Sequence, residues 1–153
     1  MNKLQSLRDH LLTGPIEIDA DDLLTFADEG QIISNASGTN DHYEFNYKAN
    51  VIITNFSGHA DQLAFWVLQW LKIAQPDHRP EAVQFEADVL GEKSVDLSLS
   101  LNLTETIKVS ADANGDILLH HADEPNIDPV LLPATEWTLY ANDDPIETWL
   151  QNG

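Results

Sequence analysis

Residues 43–75 read YEFNYKANVIITNFSGHADQLAFWVLQWLKIAQ, an alternating stretch followed at once by an apolar helical one. Along Tyr43, Phe45, Tyr47, Ala49, Val51 and Ile53 every second residue is apolar or aromatic. Glu44, Asn46, Lys48, Asn50 and Thr54, which fall on the other side, are polar. Period two with one apolar side predicts a half-buried antiparallel strand. Its length is roughly twice the usual ~5–6 residues. Asn55 to Ala60 turns the chain, and Asp61 caps or charges the start of a helix that runs to about Ala74.

At about 100° per residue, Leu63, Ala64, Trp66, Val67, Trp70, Leu71 and Ala74 share a broad arc suited to covering a sheet. Gln62, Phe65, Leu68, Gln69 and Lys72 lie opposite. Two readings of Phe65 and Leu68 stand side by side. They are surface apolar residues or lie under a loop or the first helix, or they belong to a second buried surface made with another subunit. On the second reading Phe65, Leu68, Gln69 and Lys72 form a candidate interface.

Working outward, Asn2 is expected to cap a first helix with Leu4, Leu7 and Leu11 on one face, ended by Gly14-Pro15. Ile16 to Asp22 is an acidic connection. Leu23–Ala27, a turn at Asp28-Glu29-Gly30, and Gln31–Ser34 read as a hairpin. Asn35 to Asp41 is a polar loop.

Beyond the central helix, Pro76 to Pro80 breaks the chain. Val83, Phe85, Ala87 and Val89 then alternate with polar residues as a strand, and Gly91-Glu92-Lys93 turns it back. Val95, Leu97, Leu99, Leu101 and Leu103 make the cleanest alternation, with Ile107 and Val109 after a break at Glu105. Asn114-Gly115 signals a hairpin turn that returns through Ile117 to His121. Ala122 to Ala134 is an acidic, proline-bearing loop and Glu136–Tyr140 a short strand. Ile146, Trp149 and Leu150 have helical spacing in a peripheral tail over 143–153. The expectation is one α+β domain over residues 1–153, an antiparallel sheet with helices packed on one face.

Composition excludes several functions. At 153 residues with 42% hydrophobic content, the chain is large enough for a core. No apolar run reaches the ~18–20 residues of a membrane span, and the opening residues lack the apolar block of a secretion signal. Absence of cysteine excludes disulfides, thiolate zinc sites and thiol nucleophiles, and fits the cytoplasm. Seven Lys and Arg against 26 Asp and Glu give a net charge of −19. Such a chain repels phosphate backbones and acidic membranes, so nucleic-acid binding is not expected. The acidity itself serves solubility in the ordinary case. Otherwise it suits a partner with a basic face, or a wall past which DNA slides.

The densest metal-like cluster is His120-His121 with Asp123, but adjacent strand residues point to opposite faces. Asp112-Ala113-Asn114-Gly115-Asp116 has calcium-loop residues with glycine in the wrong place, and the hairpin explains them without an ion. Gly-x-Ser-x-Gly, the P-loop and GxGxxG are absent. No catalytic, cofactor-binding or metal residues are expected, and no enzyme.

Five stretches go further: MNKLQSLRDHLL at 1–12, ADEGQIIS at 27–34, YEFNYKANVIITNFSG at 43–58, VLQWLKIAQPD at 67–77 and FEADVLGEKSVDLSLSLNLTETI at 85–107. In these the chain resembles the phage tail completion protein R (GpR) family of contractile-tailed temperate phages. The resemblance implies a structural virion protein that completes the head-proximal end of the tail and supports stable head–tail joining. It implies a small tail-terminator-like domain arranged as a ring, six-fold by analogy. The implied partners are copies of itself, the tail tube and the head–tail connector, with DNA passing through unbound. The implied location is the virion, and the host cytoplasm during assembly. The contrasting reading is an acidic small-molecule or peptide-binding module without catalysis, using the aromatics Tyr43, Phe45 and Tyr47.

Overall fold

The computed structural model describes residues 1–34, 41–124, 136–141 and 144–150. Most of the loop expected at Asn35–Asp41, and of the acidic one at Ala122–Ala134, lies outside the described residues. Helix α1 spans Asn2–Thr13 and helix α2 Ala60–Ala74. Strands β1 (Leu23–Ser34), β2 (Tyr43–Phe56), β3 (Val83–Val89), β4 (Val95–Ala111) and β5 (Ile117–His121) make one antiparallel sheet. Its order is β1-β2-β4-β3, with β5 joining β4 beyond the end of β3. Strands β6 (Glu136–Ala141) and β7 (Asp144–Leu150) form a separate antiparallel pair. The fold class is α+β, as the alternation and the helical arc predict.

Both long strands bury one side as period two requires. Tyr47, Ala49, Val51 and Ile53 of β2 and Leu97, Leu99, Leu101 and Leu103 of β4 face the core. Leu7 and Leu11 of α1, with Leu63, Val67, Trp70 and Leu71 of α2, close it from the helix side. Each fully buried Leu of this set contributes roughly 1.5–3 kcal/mol relative to exposure. A register shift between Ile53 and Phe56, with Asn55 at φ 53°, brings Phe56 back into the core.

The structure corrects four local expectations. Leu23–Ser34 is one strand, not a hairpin. Glu29 and Gly30 lie opposite the single residue Tyr47, and Glu29 takes φ 49°. That is a bulge in a strand paired to β2 on both sides of it. Lys48 Nζ meets Glu29 at 3.6 Å across it. Strand β4 runs through Glu105 without a break, and Glu105 takes a buried place in the core row. Met1, not Asn2, stands at the N-cap of α1, and no side chain bonds there. Ile146, Trp149 and Leu150 fall on β7 rather than a helix, because Glu136–Ala141 supplies a partner, with Trp137 opposite Trp149. Strand β3 forms as expected but only Val83 is partly covered, so its apolar row is open to solvent.

Candidate functional site

Helix α2 lies across the sheet and is held along one flank by α1. The Trp66 indole stacks on His10 with ring centroids 4.2 Å apart, and its Nε1–H donates to the His10 carbonyl at 2.9 Å. His10 Nε2 lies 2.8 Å from the Trp66 carbonyl, and Trp70 Nε1–H donates to Ser6 Oγ at 3.0 Å. Gly14 lets the chain leave α1 at this point, because a Cβ there would collide with the Trp66 ring. So Trp66, expected on the sheet-covering arc, is instead clasped by α1.

The end of α2 is fixed by polar bonds. Gln75 is buried, its amide donating to Thr104 Oγ1 at 2.9 Å and Asp77 Oδ1 at 2.6 Å. Its carbonyl accepts from Lys3 Nζ at 2.8 Å and the Thr104 N–H at 3.1 Å. Nearby the buried Glu105 accepts from the Lys3 N–H. Burial first, and then the Glu105 carboxylate, hold the Tyr47 phenol far above its ordinary pKa, so it stays protonated. These groups lock the first turn of α1 to α2 and β4.

The opposite flank of α2 has no such cover. Between α2 and β3 runs an open trough of about 520 Å³. Leu97 and Leu99 form its floor, Ala64 and Leu68 one wall, and Phe85 and Ala87 the other. Phe85 is 72% exposed and Val89 76%. The trough exists because β3 extends the sheet past the width that one helix covers.

Of the residues expected on the outer side of α2, Phe65 is 62% exposed, Leu68 43%, Gln69 half-buried and Lys72 exposed. The four do not act as one patch. Helical spacing puts Phe65 and Lys72 on the crest, while Leu68 turns into the trough. Ile73, 80% exposed beside Lys72, extends the apolar surface and is missing from the sequence-based set. Its available signal is an apolar side chain placed between Gln62 and Trp66 in angle, at the border of the sheet-covering arc.

The other candidates dissolve into the fold. Tyr47 is in the core, Phe45 packs against it, and Tyr43 meets Phe45 edge-on at 5.6 Å. His120 and His121 pair with Lys108 and Ile107 across the ladder and are exposed. Asp112 accepts from the backbone N–H groups of Asn114 and Asp116, fastening the turn that places Gly115 at φ 84°. Among the described residues no three His, Asp or Glu side chains converge, and no helix is long and apolar enough to cross a membrane.

What remains is a surface for contact. The profile of the P2 phage tail completion protein R (GpR) family matches residues 1–125. Tail completion protein R of Escherichia phage P2 is 34% identical over 159 aligned positions, covering 97% of this chain and 99% of the relative. No solved structure matches. The chain therefore belongs to the P2 phage tail completion protein R (GpR) family, a family of structural proteins of phage tail assembly and not of enzymes.

Proposed function

We propose that this protein completes the head-proximal end of a phage tail and makes it competent to join a head. It acts as a ring of copies, six-fold by analogy with tail terminators, seated between the tail tube and the head–tail connector. Residues 1–153 act as one unit, assembled in the host cytoplasm and retained in the virion. The observation that carries the ring is the outer side of α2, where Phe65 and Ile73 stand exposed on a helix whose α1 flank is closed. Burying one such ring side chain against a neighbour contributes roughly 1.5–3 kcal/mol, repeated at every interface. The net charge of −19 suits a lumen that lets DNA pass without holding it.

The test is negative-stain imaging of tails made with and without this protein. Tails made without it are expected to lack a capping ring at one end and to stay unattached to heads. Adding the purified protein is expected to restore both. Normal head-joined particles in its absence would overturn the reading.

A further inference from the structure

We propose that β3 and the trough beside it form a docking site for an extended segment of another protein, in which apolar residues alternate with Lys or Arg. The guest adds a strand to the sheet along the free edge of β3. This deepens the function proposed above, and rests on it only for the expectation that the guest is a virion protein.

Three observations support the site. First, β3 ends the strand order, so its outer backbone edge has no partner in the sheet among the described residues. Exposed edges are usually blunted with Lys, Pro or a bulge. Val83–Val89 has no Lys, Pro or bulge and pairs with β4 in unbroken register, so the charges Glu86 and Asp88 are what guard this edge, and they deter an anionic strand rather than a cationic one. Second, Phe85 and Ala87 already line the trough with Leu68 opposite. A strand added beside them would project every second side chain on the same face of the sheet, against the Phe85 and Ala87 wall of the trough. Third, the charge picks the occupant. From Pro80 to Gly91 there are three carboxylates, Glu81, Glu86 and Asp88, and no Lys or Arg. Asp61 lines the trough as well. Glu86 and Asp88 alternate with the apolar row, so they flank the guest's other face.

The same charges disfavour a second copy. Antiparallel pairing of β3 with itself sets Glu86 and Asp88 near their own counterparts, and like charges across a ladder destabilise it. The sheet's other edge, β1, brings Asp28 and Glu29 at a bulge. A cationic alternating strand meets neither obstacle.

The test titrates the full chain with three acetylated peptides, alternating Val and Lys, Val and Glu, or Ser and Lys. The Val–Lys peptide is expected to bind with one-to-one stoichiometry and the other two at least about tenfold more weakly. Phe85→Ser is expected to weaken the Val–Lys peptide by a similar factor. The double change Glu86→Lys, Asp88→Lys should turn the preference toward the Val–Glu peptide. In the unaltered chain, amide resonances of Val83 to Val89 should shift on binding while those of β1 stay in place, a readout independent of any variant's folding. Equal binding of the Val–Lys and Ser–Lys peptides would reduce the site to general charge attraction and overturn the proposal. So would shifts on β1 instead of β3, or concentration-dependent dimers that Phe85→Ser abolishes. None of these outcomes touches tail joining, so the two readings stand or fall separately.

Discussion

Helix α2 has two flanks of similar composition and opposite fate. Toward α1, Trp66 and Trp70 are stacked, hydrogen-bonded and closed over by a second helix. Toward β3, Leu68 and Phe85 face each other across an open trough over the floor residues Leu97 and Leu99. Both flanks are apolar, so apolarity alone does not decide which is core. What decides is whether the chain provides a covering element. The 12 residues of α1 cover one flank, and no described helix lies over the other. In a structural protein of a tail, an apolar flank left open is the place to look for a neighbour.

The contrast can be broken most forcefully at Leu99 and Phe85, which are partners across the β3–β4 ladder. Leu99 is 7% exposed and Phe85 72%. Leu99→Ser is expected to cost about 3 kcal/mol or more, through lost burial and the cavity left behind. Phe85→Ser, on the edge strand and largely in solvent, should stay within about 0.5 kcal/mol. Denaturant melts of the two variants check this. Equal losses would mean the trough is closed in solution.

A smaller effect tests the sealed flank. Gly14→Val drives a side chain into the Trp66 indole, an overpacking expected to cost about 1–3 kcal/mol. The change should also free Trp66 from His10, which tryptophan fluorescence during a melt would report. A variant as stable as the parent would mean α1 can shift without loss, and the flank is less firmly closed than its hydrogen bonds imply.

The difference between flanks also marks what the sequence can tell. Period two along Tyr43–Ile53 and Val95–Leu103 is a local property, since each side chain's face follows from its neighbours, so both central strands are legible. Register is not local. Asp28-Glu29-Gly30 carries the residues of a turn, and only the 14-residue length of β2, able to pair on both sides, makes it a bulge. Glu105 reads as a break because a carboxylate is costly in a core. It is tolerated because Lys3, distant in sequence, donates to it. The apolar row of β3 is likewise legible as a row. Its exposure is not, because that depends on which helix ends up above it. Phe65 stands out in the sequence as an apolar residue among polar ones, whereas the trough needs α2 and β3 placed together.

The most direct test of the central claim, that the exposed crest of α2 is a contact surface and not spare core, is Phe65→Ser assayed for both folding and tail joining. The account predicts a melting temperature within about 2 °C of the parent, together with failure to restore head joining to tails made without the protein. Trp70→Ser, on the sealed flank, should instead unfold the subunit, with a loss of about 3–5 kcal/mol. A Phe65→Ser protein that joins tails as well as the parent, or that melts as early as Trp70→Ser, would contradict it.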